Sequence, residues 1–262
     1  MELKIISQNC LDSPILLNRG ERINLLVNQL VKQQANIICL QEINFSKTAK
    51  RISEVFNTFG YHTYCLPKRL LNKGGLFVAS LFPFNEKSFV RYSSQGRFFS
   101  NQLPDKILGK GYQKLNINVN GIELILINTH LVSMYNWNSK SKKEILRNQL
   151  EQLIGDIEPE TRNLIVTGDF NFKPEDPLYI DLLNRSKLRD PSFNSGLITL
   201  SKDNTNKKGL YKYNIEIRYD YTFVSGNLKC KNQKVILNDL FNLNGINVNL
   251  SDHYGLCTEL SI

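Results

Sequence analysis

Five cysteines, three histidines and one tryptophan in 262 residues leave little material for several kinds of chemistry. Cys10, Cys39, Cys65, Cys230 and Cys257 are scattered, form no Cys-x-x-Cys pair, and four of them fall in apolar, strand-like stretches. That spacing excludes a thiolate zinc site and a disulfide framework, and it points to buried thiols in a reducing compartment. No apolar run approaches the ~18 residues of a membrane-spanning helix. The opening "MELKIISQNC" enters a strand-like pattern at once, so a soluble, cytoplasmic protein is expected. Also missing are a glycine- or serine-rich linker, an internal repeat and any low-complexity block. Residues 1–262 are therefore expected to form one domain and to act as a monomer, and 41% hydrophobic content supports a substantial core.

Acidic residues are the minority charge, 24 against 33 lysines and arginines, giving a net charge of +9. Such a balance attracts polyanions or anionic membrane surfaces, and peripheral contact with either is expected. Much of the excess lies in "SKSKKE" (139–144) and "NTNKKG" (204–209), which read equally well as solvated surface.

Strand-like runs recur at 3–8, 37–41, 61–66, 76–82, 114–119, 123–129, 164–169, 218–225 and 254–260. Apolar stripes at helical spacing run through Ile23, Leu26, Val27, Leu30 and Val31, and through Leu146, Leu150, Leu153 and Ile157. Each stripe connects one strand to the next. The Asn120-Gly121 turn inside "NINVNGIELILIN" implies a hairpin, which excludes a purely parallel sheet. Two facing mixed sheets with helices outside, an α/β architecture, are the expected result. Residues 93–111, "SSQGRFFSNQLPDKILGKG", form the longest stretch without periodicity and are expected to be a functional loop.

The segment "LIVTGDFNFKPED" (164–176) drives an apolar strand into Asp169 and Asn171, two polar residues on one face of the strand tip. A carboxylate at the edge of a core needs a cation, a donor or a substrate to meet it. Other strands end likewise: "LKIISQN" in Asn9, "IICLQE" in Glu42, "LILINTH" in Asn128 and His130. "RYDYTFV" carries Asp220 near its start, and "LSDHYGL" sets Asp252 and His253 before the last strand. Singly, each has a bland reading. Asn9 or Asp169 would form a turn, Glu42 would cap a helix starting near Ser46, His130 would bond a core carbonyl, Asp252 would sit in a surface turn, and Asp220 would pair with Arg218. Repetition at strand edges favours one shared mouth.

The ordered set "SQN", "CLQE", "NTHL", "GDFN", "RYDY" and "SDHYGL", spanning 7–256, resembles the endonuclease/exonuclease/phosphatase superfamily, the metal-dependent phosphohydrolases related to DNase I. The resemblance implies a four-layer α/β/β/α sandwich with every motif at one end. Asp252 is a further hard oxygen donor suited to Mg²⁺ or Mn²⁺, and the resemblance implies Glu42 as the main ligand of that ion, with Asn9 nearby. It further implies His253 as general base oriented by Asp220, Asp169 and Asn171 positioning water and phosphate, and His130 stabilising the transition state or leaving group. Hard oxygen donors suit such ions, and an imidazole titrates near neutrality.

The substrate is expected to be a phosphodiester, either a lipid headgroup or a nucleic acid. The chain has "QNCLDS" where abasic-site endonucleases show Asn-Gly-x-Arg, and "RYDYTF" where inositol polyphosphate phosphatases show Cys-Asp-Arg. The segments "GGLFVASLFPF", "GKGYQKLNI", "NTHLVSMYN" and "GDFNFKPEDPLYIDLL" are similar to the neutral sphingomyelinase branch, so a sphingomyelinase-like phosphodiesterase is the leading expectation. The interval from Asp220 to Asp252 leaves little room for a large membrane-inserting hairpin. Rival readings are a DNA or RNA nuclease, including one of tyrosyl-DNA phosphodiesterase type, using Lys68, Arg69, Lys73, Lys140, Lys142 and Lys143, and an inactive binding protein on the same fold. Asn128, Tyr135 and Trp137 are candidate substrate contacts. The alternative for Met134, Tyr135 and Trp137 is packing beneath the following helix.

Overall fold

Apolar residues two apart decide which way each strand faces. In the computed structural model, which describes residues 1–14, 18–96, 103–133, 140–158, 161–207 and 216–262, the chain runs β1 (Glu2–Asn9), α1 (Arg19–Lys32), β2 (Ile37–Gln41), α2 (Ser46–Thr58), β3 (His62–Lys68) and β4 (Leu71–Ser80). It continues through β5 (Phe84–Arg91), α3 (Leu103–Leu108), β6 (Gly111–Val119), β7 (Ile122–His130), α4 (Lys140–Gly155), β8 (Leu164–Asp169) and α5 (Pro177–Ser186). β9 (Asp220–Val224), β10 (Lys229–Ile236), β11 (Phe241–Leu243), β12 (Ile246–Val248) and β13 (Gly255–Ser261) complete it.

One sheet has the order β10-β13-β1-β2-β4-β3 and the other β5-β6-β7-β8-β9. Leu3 and Ile5 of β1 and Ile37 and Cys39 of β2 face Leu115, Ile117, Leu124, Leu126 and Ile165 of the other sheet, forming the layer between the sheets. Their neighbours Ile6, Ile38 and Leu40 point the opposite way, onto Ile23, Leu26, Leu30, Ile52 and Phe56 of α1 and α2. On the far side α4 and α5 bring Leu146, Leu150, Leu153, Tyr179 and Leu182 against Ile127, Val166 and Phe223. The fold is thus the expected four-layer α/β/β/α sandwich, with three apolar layers excluding water. A fully buried Leu or Ile contributes ~1.5 to 3 kcal/mol.

The first stripe forms α1 and the second forms α4 up to Leu153, with Ile157 past the helix end, and each helix is the crossover of a parallel pair, β1 with β2 and β7 with β8. The Asn120-Gly121 turn joins β6 to β7 with positive φ at both residues, 53° and 91°, as a tight hairpin of the right twist requires. Part of the expected loop 93–111 is helical, as α3, and its residues 97–102 lie outside those described. The interval before Asp252 holds only a small hairpin, β11 with β12, of three residues a side. Among the described residues no helix is long and apolar enough to cross a membrane.

Candidate active site

Strand register places the polar strand ends at one level. Asn9 pairs with Gln41 across the parallel β1–β2 ladder, and His130 pairs with Asp169 across β7–β8. Asp169 also faces Asp220, where antiparallel β9 begins, and antiparallel β13 begins at Gly255, just after His253. Carboxyl ends of parallel strands and amino ends of antiparallel ones therefore meet at one mouth. The "GDFN" pattern follows from what its residues touch. A side chain at Gly168 would collide with the Thr129 carbonyl at 1.9 Å, so only glycine allows β7 and β8 to close here. Phe170 and Phe172 turn into an aromatic cluster with Tyr179, Tyr221 and Phe223, centroids 5.0 to 6.4 Å apart in the pairs each makes. Asp169 and Asn171 consequently stay at the mouth, and Asp169 Oδ1 accepts the Asn171 amide at 3.0 Å.

Asn9 joins the two sheets. Its Nδ2 donates to Glu42 Oε1 at 3.1 Å and to Asp169 Oδ2 at 3.0 Å. Its Oδ1 accepts the Leu11 amide at 3.1 Å. Glu42 has φ of 53°, as do neighbouring Leu11 at 50° and Asn171 at 54°. Left-handed backbone at Leu and Glu is uncommon, and its concentration here shows that surrounding contacts hold the mouth in shape. Burial, then the nearby Asp252 charge, raises the Glu42 carboxyl above its ordinary pKa.

His130 stands 3.3 Å from Asp169 Oδ2 through Nε2, and the same nitrogen lies 2.7 Å from Lys110 Nζ. Lysine only donates, so Nε2 accepts and the imidazole proton sits on Nδ1. Burial, with the charges of Lys110 and His253, pushes His130 well below its ordinary pKa, so it is neutral. Lys110 is itself buried, 3.3 Å from Asp105 Oδ1, and Asp105 also accepts from Ser133 Oγ at 3.1 Å.

His253 is held oppositely. Its Nδ1 donates to Asp220 Oδ2 at 2.8 Å, leaving Nε2 3.9 Å from Asp169 Oδ2. Burial alone would lower its pKa, but Asp220, Asp169 and Asp252 outweigh burial and raise it well above the ordinary value. Asp169 is pushed up to about 7 by burial, against the charge of His253 and with that of Asp220. Thr199 Oγ1 accepts the Tyr219 and Asp220 amides at 3.1 and 3.3 Å and so fixes the start of β9.

The sequence pattern of the Endonuclease/Exonuclease/phosphatase family matches residues 10–253. The chain belongs to this family. Its members hydrolyse phosphoester bonds and generally use divalent metals, with which the buried group Asp169, Asp220 and His253 is compatible. A Drosophila melanogaster protein provisionally named a neutral sphingomyelinase is 27% identical over 233 residues, covering 86% of this chain and 52% of that protein. The chain thus spans about half the length of this curated relative. Sphingomyelinase C from Streptomyces griseocarneus shares the fold with a TM-score of 0.75 at 15% identity, covering 99% of both chains. The D. rerio TDP2 structure complexed with a single-strand DNA product gives 0.76 at 18% identity, covering 100% and 99%.

Within this family fold the structure brings together Asn9, Glu42, His130, Asp169, Asn171, Asp220 and His253. Asp252 is buried beside them, its Oδ1 accepting from Ser251 Oγ at 3.3 Å. Asp220 pairs with His253, while Arg218 pairs instead with Asp190 at 2.7 Å. Asn128 does not fit the expectation of a substrate contact. It is fully buried between the sheets, its Oδ1 accepting from Gln41 at 2.8 Å and its Nδ2 donating to Leu40, Phe77 and Gln113 at 3.1 to 3.3 Å. Gln41, Leu40 and Phe77 of the facing sheet and Gln113 of its own sheet claim its amide. Tyr135 and Trp137, with Met134, lie outside the described residues. Lys142 is buried rather than part of an open basic face, whereas Lys68, Arg69, Lys73, Lys140 and Lys143 are exposed. Lys110 was missed by sequence reasoning. Its only signal is a basic residue flanked by glycines, "GKG", at the entrance to β6.

Proposed function

We propose that this chain is a divalent-cation-dependent phosphodiesterase of sphingomyelinase-like type. The observation that carries the reading is the Asp220–His253 pair, whose unclaimed Nε2 faces Asp169 in a mouth that also holds Glu42 and Lys110. Asp220 fixes the tautomer, so Nε2 is the atom that takes a proton from an attacking water. Asp169 and Asn171 border the space between His253 and His130 and orient water and phosphate there. Lys110, rather than the neutral His130, brings positive charge toward the phosphoryl oxygens, and His130 holds that ammonium in place.

Four buried or half-buried carboxyls, Glu42, Asp169, Asp220 and Asp252, share this mouth, and burial raises Glu42 above its ordinary pKa and Asp169 to about 7. That excess of hard, crowded oxygen donors fits Mg²⁺ or Mn²⁺. Glu42 would hold the ion, with Asn9 and Asp252. When bound, the cation supplies neutralising charge at the non-bridging phosphate oxygens.

A lipid substrate is favoured by apolar side chains exposed at the same end. The turn between β3 and β4 lies there, because Leu40 pairs with Phe77 and the Ile43 amide bonds Gly75. It presents Leu70, 81% exposed, among Lys68, Arg69 and Lys73. Leu240 and Ile246, at 56% and 61%, lie just before and within the small hairpin that follows β10, whose last residue Ile236 pairs with Gly255 beside the mouth. The same basic residues favour a nuclease as the second reading. Incubation with Mg²⁺ and sphingomyelin, lysophospholipid, single- and double-stranded DNA, RNA and an aryl phosphodiester tests both. Hydrolysis of a choline-phosphate lipid is expected. Hydrolysis of nucleic acid alone, falling steeply with salt, would instead establish the nuclease.

A further inference from the structure

Arg22 lies on α1, outside every motif described above, yet it is 2% exposed. Lys and Arg are rarely buried this deeply unless something meets their charge and donors. Its Nη1 donates to the Cys10 carbonyl at 2.9 Å and also to the Leu250 carbonyl, and its Nη2 donates to the Leu11 carbonyl. Two of these carbonyls follow Asn9 directly. The third precedes Ser251, Asp252 and His253. One planar guanidinium therefore spans the loop that carries a candidate cation ligand and the loop that carries the candidate base, a geometry that a single ammonium does not reproduce.

The Asn9 loop is strained where Arg22 meets it and is tied to β2 and its end by the Cys10 and Asp12 amides donating to the Gln41 and Glu42 carbonyls at 2.9 and 3.0 Å, while Asn204 Nδ2 donates to the Ser251 and Asp252 carbonyls of the other loop at 2.9 and 3.2 Å. Leu11 has φ of 50°, unfavourable for a bulky residue, and its amide is the one that fixes Asn9 through Oδ1. The ties that accompany Arg22 are Ser251 Oγ donating to the Asn9 carbonyl at 2.6 Å and Gln8 Nε2 donating to the Asn9 and His253 carbonyls at 2.5 and 3.0 Å. The nearby Asp252, Asp12 and Glu42 carboxyls place negative charge around the guanidinium.

We infer that Arg22 is a positioning residue that clamps the Asn9 loop to the Asp252–His253 loop and so sets the separation between the cation-binding edge and the general base. The inference rests on the proposed hydrolytic reading of the site, and its test separates the two. In the full chain, Arg22→Met and Arg22→Lys are compared by amide exchange, by Mn²⁺ calorimetry and by kcat and KM on the substrate found above. For Arg22→Met, exchange accelerates at Cys10, Leu11, Asp12 and His253 more than in the sheet cores, and Mn²⁺ affinity falls. A small misplacement of reacting groups costs about 10²-fold, so kcat drops by roughly that factor while KM stays near its original value. Arg22→Lys, able to reach fewer carbonyls, recovers part of kcat. Exchange at those amides that rises only in proportion to the whole core, or kcat unchanged below the melting temperature, overturns the inference. Should Arg22→Met fail to fold, Ser251→Ala cuts a tie between the same loops. It is expected to speed exchange at Leu11 and weaken Mn²⁺ binding in the same direction, and unaltered values for both would overturn the clamp. A parent chain that hydrolyses none of the esters defeats the hydrolytic reading, while the exchange measurement still decides the clamp.

Discussion

A general base must be unprotonated when it acts, yet Asp220, Asp169 and Asp252 hold His253 in its charged form. The base form is therefore populated only as pH climbs past neutrality, and kcat/KM should rise with pH above the ordinary imidazole range before levelling. Asp220→Asn removes the largest of these charges, so the rise should move to lower pH while the plateau drops because the tautomer is no longer fixed. His253→Ala should abolish the rise and lose ~10²-fold or more in turnover. A profile that is flat across that range with His253 intact would assign the proton transfer to another group. Glu42 poses a separate question at this scale, because the compact group Asp169, Asp220 and His253 also offers ligand atoms. Calorimetry with Mn²⁺ should show binding weakened in Glu42→Gln and largely kept in Asp220→Asn. The reverse order would move the cation to the second group.

Among elements, β8 shows how local sequence and long-range packing depend on each other. Gly168 has φ of 142°, and a methyl group there would overlap the Thr129 carbonyl. Gly168→Ala should thus prise β8 from β7 and displace His130 and Asp169 together. Strain at such a position reaches the upper part of the usual range, ~2 to 3 kcal/mol or more, and a denaturant titration would register it. A midpoint equal to the parent's would show that β7 yields without cost. Elements with a buried face were legible in the sequence for the same reason that Gly168 is constrained. β1, β2, β7 and β8 alternate between two apolar layers, and α1 and α4 carry continuous stripes. β5 and β10 left no such trace because each lies at a sheet edge with half or more of its residues exposed, as Glu86, Lys87, Ser88, Lys231 and Asn232 illustrate. α5 did leave a signal, Asp176-Pro177, which caps it through the Leu178 amide at 3.0 Å. Within the site, strand-end residues were readable from their repetition, whereas Lys110 and Arg22 were not. Their partners, the His130 ring and three main-chain carbonyls, become neighbours only when sheets and loops close.

At the scale of the whole molecule, the crowded mouth should make stability depend on pH in a direction set by which groups hold extra protons. Asp169, at about 7, keeps a proton that the unfolded chain loses near 3.8, and His253 keeps one beyond the 6.5 of an ordinary histidine. The native state then binds more protons than the unfolded state, and stability falls as pH rises through those native values. Glu42 and Asp12 act in the same direction, starting from lower pH. His130 acts oppositely, because its folded pKa is depressed: its contribution is present above 6.5 and is lost as pH falls below that value. Above 6.5 His130 adds no further slope and the loss from Asp169 ends near 7, so His253 governs the trend beyond that. In chelator, the denaturation midpoint should decline from pH 6.5 to about pH 9, short of lysine titration. Excess Mg²⁺ should raise the midpoint and flatten this decline, since a cation bound by the carboxyls lowers their proton affinity and stabilises the native state by mass action. A midpoint that climbs with pH in chelator would mean that the mouth's carboxyls are already ionised and compensated by the protein alone. In that case Lys110 and His253 would balance the site's charge, and the need for a cation would have to come from the substrate phosphate.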